Sequence, residues 1–367
     1  MRLLVVNAGS SSLKLRRLEP DDRVSWSADL RARHGHLPLD ELKRALAQAG
    51  PVDAVGHRVV HGGIEFRAAV RVTADVERRL EALCDLAPLH QAASLAALRA
   101  TAADLPDVPG VACFDTAFHA GLPAAASTYA LPPEWRQRWN LRRYGFHGLS
   151  HGWASRRAAA MLGAAPRRLV TCHLGAGASL AAVLDGVSVD TTMGFTPLEG
   201  LVMATRSGSL DPGLLLWLEE HAGTPPAEMA ATLEHRSGLL GLTGTDDMRE
   251  VTTRAAAGDA DARLGLDVYV HRLRAGIAAM AAALNGLDAL VFTGGIGERS
   301  AEVRARAAAG LAFLGVALDE TLHGETTGDR EIGRREAPVR TLVVHSREDL
   351  EIARQVRALL APEAGSS

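Results

Sequence analysis

The chain has 367 residues, with 40 Lys or Arg against 43 Asp or Glu, for a net charge of −3. That balance argues against nucleic acid and anionic membranes as partners, and the length gives room for two domains with a core each. The most apolar stretch, Ala275 to Leu284, is bracketed by Arg272, Arg274 and Asn285; too short to span a bilayer, it reads as a buried helix in a soluble, cytoplasmic protein.

Strands are predicted over Arg2–Val6, Ser12–Leu18 and Arg23–Leu30, the first two joined by the tight turn Asn7-Ala8-Gly9-Ser10-Ser11. Asp40–Gln48 has apolar residues at helical spacing and stops at Gly50-Pro51. Ala54–Val60 reads as a buried strand that carries Arg58 and runs into Gly62-Gly63. A helix follows from Thr73 to about Asp85, another over Ala92–Ala102, and then strand Gly110–Phe114 ending at Asp115. Strands and helices alternating at this pitch indicate an α/β architecture. Small residues cluster over Thr116–Tyr129, a natural place for a domain boundary.

At Leu169 the opening device returns: an apolar strand, the turn Gly175-Ala176-Gly177, and a second apolar strand from Ala178, continued by Val187–Thr191. Such a turn gathers backbone N–H groups with few Cβ atoms in the way, which suits phosphate oxygens. Two copies suggest related halves that close on a polyphosphate and carry out phosphoryl transfer. Helices dominate Asp211–Asn285 before strand Ala289–Thr293, which enters Gly294-Gly295-Ile296-Gly297-Glu298-Arg299 with a helix from about Ala301. Strand Thr341–Val344 and helix Asp349–Leu360 close the chain. Cys84, Cys113 and Cys172 are widely spaced, so neither a zinc site nor a disulfide framework is indicated.

Several residues are candidates for chemistry. Arg58 sits in an apolar strand and Arg206 in Thr205-Arg206-Ser207-Gly208; guanidinium groups suit both a carboxylate and a transferring phosphoryl. The alternative for either is a surface salt bridge. His147, between Phe146 and Gly148 and near Arg142 and Arg143, reads as a neutral hydrogen-bond donor. Asp115 ends a strand, where α/β folds place ligands. Glu348-Asp349 begins the last helix, and N-capping is its simplest role.

In this order the motifs resemble the acetate kinase family. V-V-N-A-G-S-S-S-L-K at 5–14 and L-V-T-C-H-L-G-A-G-A-S-L-A-A-V-L-D-G at 169–186 look like its two signatures. G-H-R-V-V-H-G-G, A-P-L-H, F-D-T-A-F-H, R-R-Y-G-F-H-G-L-S-H, D-M-R, G-G-I-G-E and E-D-L-E-I-A-R carry the resemblance over nearly the whole chain. It implies a duplicated actin-like (ribonuclease H-like) α/β fold, with residues 1–117 plus 348–367 as one domain and 118–347 as the second. It also implies a homodimer, and reversible γ-phosphoryl transfer from ATP to acetate by in-line displacement.

By the same resemblance, Arg58 and Arg206 hold the carboxylate and phosphoryl, His147 stabilises the transition state, and Asp115 is the essential acid beside them. Asn7 and Glu348 hold Mg²⁺ or Mn²⁺. Nucleotide (ATP/ADP) contacts fall to Lys14, to His173, Leu174, Gly175, Ala176 and Gly177, to Asp247, Met248 and Arg249, and to Gly295, Ile296, Gly297, Glu298 and Arg299. Val60, Leu89, Phe146 and Pro197 form the apolar pocket for the acetate methyl. The chain departs from the family pattern at Ala176 (usually Asn), Arg299 (Asn), Gln91-Ala92 (Asn-Pro) and Ser209 (Asp). These changes spare the acid side and touch the donor side. A propionate or other short-chain acid kinase, a pyrophosphate-dependent enzyme and a weakly turning-over phosphate-binding protein are the competing readings.

Overall fold

The computed structural model describes residues 1–9, 12–31, 38–84, 88–324 and 328–361, apart from the side chains of Pro88, Leu89 and His90. The chain divides into a first unit of residues 1–120, 146–153 and 347–367 and a second of 121–145 and 154–346.

The first unit is built on a six-stranded sheet of β1 (Leu3–Ala8), β2 (Ser12–Leu18), β3 (Val24–Arg31), β4 (Ala54–Val59), β5 (Val70–Arg71) and β6 (Gly110–Phe114), in the order β3-β2-β1-β4-β6-β5. β1, β2 and β3 form an antiparallel meander; β4 and β6 add in parallel, and the two-residue β5 closes the edge antiparallel. Successive side chains of a strand point to opposite faces, and both faces here are apolar. Leu4, Val6, Ala8, Leu13, Leu15 and Val55 pack against Leu42, Ala45 and Leu46 of helix Leu39–Ala49 and against Ala97. On the other face, Leu3, Val5, Leu18, Ala54, Val111 and Cys113 pack against Ile352, Ala353 and Val356 of helix Glu348–Leu360. Gly56 makes that approach possible: a Cβ there would lie 2.4 Å from Ile352 Cγ2. The helix therefore sits low on β4, two residues from Arg58.

The second unit repeats the arrangement with β7 (Arg168–Leu174), β8 (Ala178–Leu184), β9 (Val187–Thr191), β10 (Ala289–Thr293), β11 (Arg330–Glu331) and β12 (Arg340–Val343), in the order β11-β12-β10-β7-β8-β9. β7, β8 and β9 form the meander, β10 and β12 the parallel pair, and the two-residue β11 the antiparallel edge. The repeat seen in two hairpins thus extends to the whole sheet, and the expected duplicated α/β fold is present. Helix Ala260–Ala283 covers this sheet with Leu266, Tyr269, Leu273, Ile277 and Met280 buried, so the apolar stretch at 275–284 is a core helix as read. Among the described residues no helix is long and apolar enough to cross a membrane.

Several boundaries differ from expectation: the first strand runs on to Ala8, and the helix read over Ala92–Ala102 spans Pro88–Asp104. The helix after Thr73 ends at Glu81, and Asp85 lies outside the described residues. The glycine-rich segment after β10 is already a short helix, Gly294–Arg299, followed by helix Ala301–Ala309 capped by Ser300. Gly294, at φ 78°, turns the chain into it while pressed on Leu174, whose carbonyl oxygen would stand 2.8 Å from an added Cβ.

Candidate active site

In the first unit four polar side chains form one hydrogen-bonded chain at the ends of β1, β4 and β6. Arg58 Nε lies 3.1 Å from each Asp115 carboxylate oxygen, and its Nη2 is 2.7 Å from Oδ2. Nη1 donates to Asn7 Oδ1 at 3.1 Å, and Asn7 Nδ2 donates to Glu348 Oε2 at 2.8 Å. Glu348 Oε2 is also 3.8 Å from Arg58 Nη1. The Asp115 side chain is 2 % exposed and that of Arg58 15 %. Arg58 is therefore no surface salt bridge. Glu348 does not cap its helix either: the N-cap position is Arg347, and the Glu348 carboxylate turns back to Asn7, while Asp349 pairs with Arg347.

Burial raises the Asp115 carboxyl above the usual carboxylate range; Arg58 pulls it back and Glu348 adds to the rise. The three hydrogen bonds it accepts are those of an ionised carboxylate. Burial alone would lower Arg58, but Asp115 and Glu348 outweigh it and hold the guanidinium above its ordinary value. The result is a fixed cation with one edge committed to Asp115. Lys14, opposite Asn7 in the β1–β2 register, is exposed. The two serines of this turn, Ser10 and Ser11, lie outside the described residues; Gly9 N–H closes it on Ser12 O at 2.8 Å.

His147 stands beside this cluster through its backbone. Gly148 N–H donates to Asp115 O at 2.8 Å, and the approach is so close that a Cβ on Gly148 would lie 2.2 Å from that oxygen. His147 itself has φ 57°, in the left-handed region. Val60 and Phe146 of the expected methyl pocket are buried, Phe146 edge-on to His61 at 5.4 Å. The Leu89 side chain lies outside the described residues, though its backbone is in helix Pro88–Asp104.

In the second unit the turn Gly175-Ala176-Gly177 is closed by Gly175 N–H on Gly177 O, 2.9 Å. Ala176 is exposed, and its carbonyl accepts from Ala204 N–H at 3.0 Å, which ties the Arg206 loop to the turn. Arg206 Nη1 donates to Pro197 O at 3.2 Å, so these two candidates meet. His173 is half-buried at the end of β7 and Leu174 fully buried. Asp247 caps helix Met248–Ala256 through Arg249 N–H and holds the Arg249 guanidinium at 2.6 Å; Met248 is buried.

The glycine-rich helix presents two different surfaces. Gly295 and Arg299 are exposed, with nothing within 4 Å of a Cβ built on Gly295. Glu298 turns inward instead, accepting from Gly294 N–H at 3.0 Å and Ser346 N–H at 2.9 Å, with His345 Nδ1 on its other oxygen. Arg304, which the sequence reading passed over, is fully buried beneath the same helix. It donates to the carbonyls of Gly297, Glu298, His323 and Gly324 at 2.6–2.9 Å. Burial lowers its guanidinium to about 10. Glu298 and Arg304 together fix the segment that exposes Gly295.

A sequence profile described as the acetokinase family matches residues 36–354. The chain is 50 % identical over 316 residues to the acetate kinase of Gloeobacter violaceus, covering 85 % of this chain and 78 % of that one. It is 44 % identical over 405 residues to the acetate kinase of a Synechococcus strain, covering 99 % and 100 %. Among solved structures, Porphyromonas gingivalis acetate kinase aligns with a TM-score of 0.89 at 34 % identity, over 98 % of this chain and 99 % of its own. A Francisella tularensis propionate kinase aligns equally well at 36 % identity, over 96 % and 98 %. The chain belongs to the acetokinase family, whose solved members share the actin-like fold.

Proposed function

We propose that this acetokinase-family chain transfers the γ-phosphoryl group of ATP reversibly to acetate, giving acetyl phosphate and ADP. The observation that carries this reading is the Asp115–Arg58–Asn7–Glu348 chain, a part-buried cation whose position is dictated by a buried carboxylate.

A carboxylate acceptor is already ionised at neutral pH, so no base is required and direct in-line attack on the γ-phosphorus suffices. Catalysis then rests on positioning and charge neutralisation. Arg58 and Arg206 supply cations for the acetate carboxylate and the equatorial phosphoryl oxygens, and His147 supplies a hydrogen bond to the same oxygens. Asp115, saturated by Arg58, orients that guanidinium and moves no proton. Val60, Phe146, Pro197 and Leu89 select a small apolar acid tail.

Asn7 Oδ1, which here accepts from Arg58, and the Glu348 carboxylate, which accepts from Asn7 Nδ2, are the hard oxygens that would hold Mg²⁺, or Mn²⁺ in its place. An ion held there would supply neutralisation of phosphate charge. Lys14, the turns at 173–177 and 247–249 and the exposed part of 295–299 take the nucleotide; the inward Glu298 serves by holding that last segment. Helix Pro212–Ala222 buries none of its residues and exposes Leu214, Leu216 and Trp217, which supports a second copy of the chain as partner in a homodimer. Three cysteines, Cys84, Cys113 and Cys172, none of them in a disulfide, support a cytoplasmic location.

Ala176 favours one second reading, pyrophosphate as donor, since the turn presents no side-chain donor there. Trapping acyl phosphate as the hydroxamate, with acetate, Mg²⁺ and either ATP or pyrophosphate, tests both. Turnover with ATP is the expected result; turnover with pyrophosphate alone would replace the donor, and silence with both would reject the reaction.

A further inference from the structure

We infer that His119 is a positioning residue for His147, fixing through one hydrogen bond the peptide on which His147 stands. The inference rests on the proposed role of His147 in phosphoryl transfer.

His119 ends the single helical turn Ala117–His119 that follows Asp115. Its ring is fully buried, and Nε2 lies 3.1 Å from Phe146 O. A carbonyl only accepts, so Nε2 carries the proton and the tautomer is set. The ring cannot turn freely: Phe118 packs edge-on at 5.4 Å and His151 at 5.6 Å.

Phe146 O belongs to the peptide that joins Phe146 to His147. That peptide matters because His147 has φ 57°, a conformation that residues with a Cβ rarely hold unaided. Three bonds surround it. His119 Nε2–H holds Phe146 O on one side, Gly148 N–H holds Asp115 O on the other, and His147 O accepts from His151 N–H at 2.9 Å. The last two run between backbone groups and do not depend on side-chain identity. Of these three the first alone comes from a side chain, and it sets the direction in which the His147 side chain leaves the backbone. Burial lowers the His119 imidazole to about 4, so the ring stays neutral and brings no extra charge beside Asp115 at working pH.

The test pairs two variants of nearly equal shape. His119→Gln keeps an N–H donor; His119→Met removes it. In the hydroxamate assay with the full chain, His119→Met is expected to lose ~10–100-fold in kcat, with KM for acetate and nucleotide within about 3-fold. Misplacing a reacting group by about 1 Å costs that much, and an interaction made only in the transition state is lost from kcat. His119→Gln is expected to stay within about 5-fold of the wild type. Combining His119→Met with His147→Ala should cost no more than His147→Ala alone, because the first acts through the second. Amide exchange at Gly148 and His151 should speed up in His119→Met and not in His119→Gln.

Normal kcat in His119→Met overturns the inference, as do full additivity with His147→Ala or equal losses in the Met and Gln variants. If His119→Met does not fold, His119→Gln alone decides, and a 100-fold loss with native amide exchange rejects the role. Silence of the wild-type enzyme rejects the proposed function and this inference with it. An active wild type beside an active His119→Met rejects only the inference.

Discussion

Arg58 and Asp115 meet through three hydrogen bonds of 2.7–3.1 Å, with Asp115 almost wholly withdrawn from water. This contact makes the guanidinium a fixed feature of the site. Asp115→Asn keeps the volume and removes the charge that holds Arg58. Activity should fall by at least ~100-fold through misplacement of the cation, and stability by about 1–3 kcal/mol, since Arg58 loses its three charge-assisted bonds and, of its carboxylate partners, keeps only the longer contact to Glu348. Hydroxamate formation and urea unfolding measure the two effects; near-normal turnover would remove Asp115 from the mechanism.

Two glycines make a contrasting pair. Gly148→Ala places a methyl 2.2 Å from Asp115 O and 2.8 Å from Phe118 Cβ. Helix propensity favours Ala by about 1 kcal/mol, but the overlap wins, for a net loss of about 2 kcal/mol, with activity lost as well. Gly295→Ala meets nothing within 4 Å. It should leave the melting temperature unchanged or slightly higher and raise KM for ATP. Thermal unfolding alongside nucleotide kinetics separates the two.

The donor turn can be repaired. Ala176→Asn restores a side-chain donor on an exposed turn whose backbone bonds do not depend on residue 176 carrying a small side chain. A hydrogen bond to a charged group is worth about 1.5–3 kcal/mol, so KM for ATP should fall ten- to hundred-fold while KM for acetate stays constant. An unchanged KM for ATP would show that the phosphates do not reach this turn.

Acid should weaken the first unit through its buried histidines. Burial lowers His57, His61 and His119 to about 4 from an ordinary value of 6.5. Between those values the unfolded chain binds more protons than the folded one. Stability is therefore complete above pH 6.5 and is lost as pH falls toward 4, on the order of 1–3 kcal/mol per group. Urea midpoints measured from pH 7.5 to 4.5 should decline over this window, and His57→Leu should flatten the slope.

Arg304→Met should destabilise the second unit by about 3 kcal/mol or more, taking the Arg304 donors from the buried carbonyls of Gly297 and Glu298 and the part-buried ones of His323 and Gly324. Nucleotide KM should rise as the Gly295 segment loosens. An exposed arginine such as Arg299 changed in the same way should leave stability within about 0.5 kcal/mol.

Most of the sheet was legible because its strands are long enough to show apolar runs closed by Gly turns, as at Leu4–Gly9 and Leu169–Gly177. The edge strands Val70–Arg71 and Arg330–Glu331 were not, since two residues carry no periodicity. Arg58 could be suspected from its apolar strand. Glu298 and Arg304 could not be read for what they do. Glu298 looks like a ligand residue in a glycine-rich turn until Ser346, 48 positions on, takes its carboxylate. Arg304 sits in a stretch of Ala and Arg, and only the loop at 323–324 reveals that it faces inward. Both depend on partners that local pattern does not contain.

Asn7 and Glu348 touch across 341 positions of chain. During translation β1 to β6 emerge early, while the helix that covers Leu3, Val5, Ala54 and Val111 follows the whole second sheet. The sheet made first is thus finished last. Its apolar face, with the notch at Gly56, waits for residues 348–360 while the stretch 154–346 is completed. A nascent chain paused before residue 348 therefore exposes the surface that chaperones bind, and it lacks the carboxylate that meets Asn7.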